Sequence, residues 1–469
     1  MPATATVERP TIWQSVLEAV RGAPQDFTEG SISRAVFLLA TPMVLEMVME
    51  SLFAIANVFW VTRLGANAIA TVGLTETMMT LVFAVAIGVS LSTTAMVARR
   101  IGEKDARGAA TAATQAILLG VVLAVAMGIP CYLLAPRLLQ WMGAPADLVA
   151  MGHRYTAIVM GGNIAVMLLF LNNAIFRGAG DAAIAMRVLW TSNWINIILD
   201  PCLIFGWGPF PELGVTGAAI STLIGRGTGV LYQLWILTRG RSRIAVRFAD
   251  FRLAPDVLAS LVRVSSTGVL QFAIAHTSWI ILVRIISGFG SVAVAGYTIG
   301  IRIFIFAILP SWGLSGAAAT MMGQNLGASK PERAERAVYL TGWYNMLFLA
   351  VVAAVFVTAP ETIVQLFTSD PLVIPHAVDC LRIIAYGNLV YAFGMVLVQA
   401  FNGAGDTVTP TIVNVIGFWL CEIPLAWALA HPAGWGVRGV FAAIPISELL
   451  ITVISLVVFR RGAWRTSRI

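Results

Sequence analysis

The sequence predicts an all-α polytopic membrane protein: twelve transmembrane helices in two six-helix lobes, related by a pseudo-two-fold axis along the membrane normal. Three observations carry this. The chain is 58% hydrophobic and only 11% charged over 469 residues, too few charges to clothe a soluble protein of that size. Apolar runs of about 20 residues recur from end to end, each long enough to cross ~30 Å of hydrocarbon. The chain also says one thing twice. Phe176-Arg177-Gly178-Ala179-Gly180-Asp181 returns as Phe401-Asn402-Gly403-Ala404-Gly405-Asp406, an offset of 225 that also pairs Gly102 with Gly327 and Gly65 with Gly290. It slips by three only near the end, where Gly214-Val215-Thr216-Gly217 is echoed by Gly436-Val437-Arg438-Gly439. By itself Gly-Ala-Gly-Asp is a tight turn, its glycines ending one helix and its Asp capping the next. Its repetition marks a duplicated unit.

Taken in order, residues 1–33 are polar, lack a long apolar core and read as a cytoplasmic tail without a cleavable signal peptide. A short amphipathic piece is expected around Trp13. The N-lobe, 34–237, holds spans at about 35–61, 68–98, 109–135, 150–175, 183–206 and 214–237. A basic linker occupies 238–256. The C-lobe, 257–460, holds spans at about 257–287, 291–322, 338–359, 376–401, 408–430 and 437–459, and 461–469 form a second tail. Six spans per lobe is even, so both lobes enter the membrane in the same direction and the axis lies along the normal.

The net charge of +7 is a topology signal. Basic residues cluster in the tails (Arg9, Arg21, Arg34; Arg460, Arg461, Arg465, Arg468) and in alternate loops, namely Arg99, Arg100, Lys104, Arg107; Arg177, Arg187; Arg239 to Arg252; and Lys330, Arg333, Arg336. Together these are 21 of the 30 in the chain, which puts both termini in the cytoplasm by the positive-inside rule. Nucleic acid is not needed to explain the charge. Cys131, Cys202, Cys380 and Cys421 are widely spaced in apolar surroundings and suit packing.

No phosphate-cradling Gly-x-x-x-x-Gly-Lys-Ser/Thr, His-Glu-x-x-His or nucleophile elbow occurs, so neither an enzyme nor a bound cofactor is expected. What remains are ionisable residues inside apolar spans, where each costs ~2.5–3.5 kcal/mol on insertion scales. Asn196 and Asp200 lie four apart on one face of the fifth span. Pro201 cannot donate to the carbonyl of Ile197, which leaves a further oxygen free. An amide oxygen and a carboxylate one turn apart suit a desolvated cation or a stored proton. The plainer alternative is an Asp200 that merely bonds a neighbouring helix.

In the first span Glu46, Glu50, Phe53 and Asn57 fall within about 60° of one another, a single polar stripe, after Pro42, which is expected to kink the helix. The stripe reads as the wall of a substrate cavity or, more plainly, as a polar seam between helices. Gln271 and His276 of the seventh span and Arg226 of the sixth complete the candidate cavity residues, with His276 reading first as a hydrogen-bonded seam residue. Glu422 and Glu448 are the remaining acids within spans.

These features resemble the multidrug and toxic compound extrusion (MATE) transporters over roughly residues 31–460. The likeness rests on Ala40-Thr41-Pro42, Arg63-Leu64-Gly65, Gly102 and Gly327, both Gly-Ala-Gly-Asp turns, Asn196-x-x-x-Asp200-Pro201 and Leu213-Gly214-Val215-Thr216-Gly217-Ala218-Ala219. It implies a V-shaped pair of lobes in the inner membrane of a prokaryotic cell, working as a monomer. It also implies export of cationic or amphipathic small molecules, driven by inward H⁺ or Na⁺ as the only coupling species. The sequence is closer to the DinF-like than to the NorM-like branch. In DinF-like members the cation site uses an acid of the first helix, the Asn and Asp of the fifth and a Thr of the sixth. Those fall on Asn57, Asn196, Asp200 and Thr222, and the last three offer oxygens to Na⁺. Asn57 departs from the pattern, and Glu50 is the nearest substitute acid. The acids of NorM-like C-lobe sites fall on Ala275 and Tyr391, so a site of that type is not expected. The rival readings are a lipid-linked precursor flippase, which would converge Arg226, Arg284 and Arg302 on the cleft, and an uncoupled, channel-like member.

Overall fold

The computed structural model describes residues 11–22, 25–247 and 252–467; Arg9 and Arg468 lie outside them. Every regular element among these is helical. The chain opens with the amphipathic α1 (Ile12–Arg21), started by a reciprocal cap in which Thr11 and Gln14 each accept the other's backbone N–H. Trp13 of α1 is exposed, and Glu18 ties the helix to the bundle through Arg34 at 2.8 Å.

The spans follow. In the first half they are α2 (Ile32–Thr62), α3 (Ala66–Gly102), α4 (Ala106–Leu133), the short α5 (Ala135–Trp141), α6 (Ala146–Gly161) with α7 (Asn163–Ala179), α8 (Ala182–Phe205) and α9 (Val215–Thr238). The second half brings α10 (Pro255–Ser287), α11 (Ser291–Gly327), α12 (Pro331–Thr358), the short α13 (Pro360–Gln365), and α14 (Val373–Ala385) with α15 (Asn388–Ala404). It closes with α16 (Val408–Asn414), a π-helical stretch Val415–Glu422, α17 (Ile423–Ala430) and α18 (Val437–Arg461). Among the described residues, ten spans are long and apolar enough to cross a membrane, eleven with the bent pair α14–α15. The twelfth, α9, is 24 residues long and loses hydropathy to Arg226 and Gln233. Pro42 sits inside α2 without interrupting it.

The duplication is written into the backbone. Lys104 and Ser329, 225 apart, are the two non-glycine residues with positive φ among those described, at 60° and 57°, a rare conformation for such side chains. Gly180 and Gly405 end α7 and α15 in the same left-handed turn, at φ 86° and 83°. The two halves meet across the axis by equivalent atoms. A Cβ on Gly102 would lie 2.0 Å from the carbonyl oxygen of Gln324, and one on Gly327 would lie 2.1 Å from that of Arg99. Since 99 + 225 is 324, this is the reciprocal contact that a two-fold axis generates.

Each half surrounds its own apolar core, one on α3, α4, α7 and α8 and the other on α11, α14 and α18. A smaller cluster bridges them through Phe27, Leu39, Met43, Ala182, Ala317 and Met321. It closes the end of the bundle that carries both termini. There the segment 25–30 is held from both halves: Arg243 donates to the Gln25 carbonyl, Lys330 to that of Thr28, and Arg333 to those of Glu29 and Gly30.

Candidate functional site

The site grows from the contact between α8 and α9. Gly217, Ser221, Gly225 and Gly229 form a stripe of small residues, one per turn, that lets α9 press on α8. A Cβ at Gly217 would meet the Leu203 carbonyl at 2.2 Å, and one at Gly225 would lie 3.0 Å from the Asn196 Cβ. At this seam Asp200 is fully buried. Its Oδ1 accepts the Ser221 hydroxyl, while its Oδ2 and both amide atoms of buried Asn196 have no protein partner. Tyr155 of α6, also buried, lies near Asp200. In a medium where an unmade hydrogen bond costs several kcal/mol, these polar atoms without a protein partner on adjacent turns set the seam apart from the apolar core around it.

The structure changes the partner expected here. The hydroxyl on Asp200 belongs to Ser221; Thr222, one step and 100° around α9, is half-buried and makes no bond to it. The signal was legible, because Ser221 and not Thr222 shares the glycine stripe. Asn57 is half-buried, with no hydrogen bond to Asp200.

The polar stripe of α2 divides into two ion pairs. Glu46 is fully buried; its Oε1 accepts from Arg177 at 2.7 Å and from Asn173 at 3.0 Å, and Asn173 in turn accepts from Gln233 at 2.7 Å. Glu46 is thus the core of a buried network and not a cavity wall. Arg177 belongs to the repeated turn, which therefore does more than reverse the chain. Asp181 of that turn also departs from expectation. It makes no side-chain cap on α8 but accepts from the Ser242 hydroxyl at 2.6 Å and the Arg243 N–H at 2.8 Å, which pins the linker. Its counterpart Asp406 bonds locally instead, accepting the Thr409 N–H at 3.0 Å and the Thr409 hydroxyl at 2.6 Å.

One to two turns on, Glu50 accepts from Asn193 at 3.1 Å and faces Arg226 at 3.4 Å, with the guanidinium 5.6 Å from the Phe53 ring. Glu50 and Phe53 share the stripe of α2, and the fold sets Arg226 of α9 against both, so Glu50 is not an isolated acid. Arg284 and Arg302 are exposed, and the charge of Arg302 on α11 reaches Glu76 on α3. His276 stacks between Phe272 and Trp279, with centroids 4.8 and 6.0 Å away, an aromatic ladder in place of the expected hydrogen bond. Gln271 is buried with Oε1 unpartnered.

A MatE family model matches residues 42–202 and again 269–428, one copy on each half. The chain belongs to the MATE family. Among relatives, a Thermotoga maritima protein named probable multidrug resistance protein NorM is 25% identical over 92% of this chain and 93% of its own. A Shewanella oneidensis protein named FAD transporter is 27% identical over 90% and 93%. A crystal structure of a MATE protein in complex with MaL6 superposes with a TM-score of 0.87 at 25% identity, covering 96% of this chain and 98% of that one. This MATE protein is therefore a multi-pass membrane transporter and not an enzyme.

Proposed function

We propose that this MATE protein is an inner-membrane antiporter that exports cationic or amphipathic small molecules, coupled to inward protons at the Asp200 site in the N-lobe, with both termini cytoplasmic. The observation that carries the reading is the pair Asp200 and Asn196: buried, one turn apart, with a carboxylate oxygen and an amide oxygen that have no protein partner. Protons are favoured over Na⁺ because, with Asn57 neutral, the site holds a single fixed carboxylate. That weakens a desolvated metal ion more than it hinders protonation. An N-lobe acid of this kind also supports the DinF-like branch. The neighbouring Glu50, Arg226 and Phe53 supply a charge pair and an aromatic face for a substrate entering the cleft.

The test is transport in proteoliposomes with pH and sodium gradients imposed separately. Efflux should follow the pH gradient, and Asp200→Asn should abolish it with expression intact. An Asp200→Asn protein that pumps at the wild-type rate refutes the site, and transport that follows sodium alone refutes the coupling ion. A second reading, export of an anionic nucleotide-like compound, is favoured by the Shewanella relative's name and by the Nη1 of Arg226, buried without a partner. FAD belongs among the substrates assayed.

A further inference from the structure

The end of the bundle that carries both termini is built about the two-fold axis, yet it departs from the repeat at two places, and both departures grip the segment 25–30. The first is in the repeated turn. Asp406 bonds within its own loop, whereas Asp181 accepts from the Ser242 hydroxyl and the Arg243 N–H and lies 3.4 Å from the Arg243 guanidinium. Arg243, so placed, donates to the Gln25 carbonyl and stands 5.2 Å over the Phe27 ring.

The second is the start of α12. In the first half Asp105 caps α4 by accepting the Gly108 N–H at 2.8 Å. Displaced by 225, those positions are Lys330 and Arg333, and α12 has no side-chain cap. Lys330 donates to the Thr28 carbonyl at 3.0 Å. Arg333 donates to the carbonyls of Glu29 at 2.7 Å, Gly30 at 2.8 Å and Phe27 at 3.3 Å. Two bases whose first-half counterparts only begin a helix thus hold the segment from the second half.

The segment lies over the line along which the halves meet. Phe27 is 3% exposed. A Cβ on Gly180 of the first half would lie 2.7 Å from its ring and 3.2 Å from the side-chain nitrogen of Gln324 in the second. Gln324 in turn donates to the Gly178 carbonyl at 2.9 Å, and Thr320 to that of Arg177 at 3.1 Å. A transporter that rocks its halves about a central site must break such contacts each time this end opens. The segment runs directly into α2 through its N-cap, Ser31, so it moves with the first half. Opening must therefore detach it from Lys330 and Arg333.

Those bonds suit repeated making and breaking. Each is a cation donating to a neutral backbone carbonyl, so it is charge-assisted and strands no carboxylate when it parts. The Lys330 side chain is 42% exposed, and its ion pair with Glu29 is 4.0 Å long. A crevice of about 410 Å³ beside Ile32, Lys330, Arg333 and Arg336 lets water replace the carbonyls.

We propose that residues 25–30 form a latch: a strap carried by the first half that locks this end shut by closing on Lys330 and Arg333, and whose release is a step of the transport cycle. The inference rests on the chain being a transporter and is independent of the coupling ion and of Asp200.

The test uses the full-length protein. Thr320 is fully buried where the halves meet, so alkylation of Thr320→Cys, read at that residue by peptide mass mapping, reports opening. It is run without gradient or substrate, which keeps it separate from the proposed antiport. Adding Lys330→Gln with Arg333→Gln should speed alkylation about tenfold or more, the factor that one charge-assisted hydrogen bond is worth. Arg333→Lys, which keeps three donors, should stay near the parent rate. Ala113→Cys, in the apolar core of the first half, should remain unreactive throughout. In the converse arm Glu29→Cys and Lys330→Cys are joined by a short reducible thiol crosslinker. Efflux should stop and should return on reduction, while the protein carrying Glu29→Cys alone is unaffected by the reagent. If the paired Gln variant does not fold, Lys330→Gln is read in its place. The latch is refuted if the Gln variant alkylates at the parent rate or if the crosslinked protein pumps as before. It is also refuted if residue 113 becomes reactive in step with residue 320, which is unfolding and not release.

Discussion

The buried pair Glu46–Arg177 invites the sharpest energetic test, because the chain carries its own neutral version. At the offset of 225, Glu46 corresponds to Gln271 and Arg177 to Asn402. The partners are unequal: the Glu46 side chain is 1% exposed and that of Arg177 29%. Removing Arg177 strands a carboxylate in the core, which costs about 3–5 kcal/mol. Proton uptake sets a ceiling near 3.7 kcal/mol, the cost at neutral pH of protonating a carboxyl of ordinary pKa about 4.3. Removing Glu46 leaves an arginine that reaches solvent and loses one charge-assisted bond, about 1–2 kcal/mol. Arg177→Asn should therefore destabilise by about 3–4 kcal/mol and Glu46→Gln by less than half of that. The double variant, which copies the second half, should return to within about 1–2 kcal/mol of wild type, a coupling on the order of 3 kcal/mol. Unfolding in mixed micelles followed by tryptophan fluorescence measures all four proteins. The reasoning is refuted if Arg177→Asn stays within about 0.5 kcal/mol of wild type, or if the double variant loses the sum of the singles.

Other expectations concern single positions. Ser221→Ala should impair gradient-driven efflux more than Thr222→Ala, and the reverse order would return the site to the geometry implied by resemblance. Glu50→Gln should lose export of a cationic substrate while sparing a neutral one, because Arg226 is left unopposed beside Phe53; equal loss of both would make Glu50 part of coupling. Gly102→Ala and Gly327→Ala should each force the halves apart at the closed end, at about 1–3 kcal/mol or more. Crosslinking between cysteines placed at that end should fall in both, and a drop in only one would contradict the reciprocal contact. In the segment 25–30 burial works against ionisation of Asp26, but the Thr28 hydroxyl and N–H outweigh it and hold the carboxyl below its usual value. Its stabilisation is present above the ordinary Asp range and is lost as pH falls through the lowered value, so amide exchange at 26–28 should quicken only in strong acid.

The sequence by itself determined the class, the duplication, most of the spans and the pairing of Asn196 with Asp200 on one helix face. Composition and run length answer to the membrane solvent alone, and a repeat is a property of the string. Asn196 and Asp200 could be paired because four residues on one helix is a local geometry. Which hydroxyl reaches Asp200, which acids are neutralised by arginine and which are left open were decided by how helices far apart in sequence pack. Glu46 meets Arg177 across 131 residues and Glu50 meets Arg226 across 176, and no periodicity within one helix encodes those partners. The C-lobe acids looked unremarkable in sequence because neither falls opposite an acid of the first half: the slip lies in the loop after Ile204 and Ala430, so Glu448 answers Arg226 and Glu422 does not answer Asp200. The π-helical turns and the break at Gly387 then bring Glu422, Glu448 and Asn388 to one cavity, and only the fold shows that three helices end their polar residues in the same few ångströms.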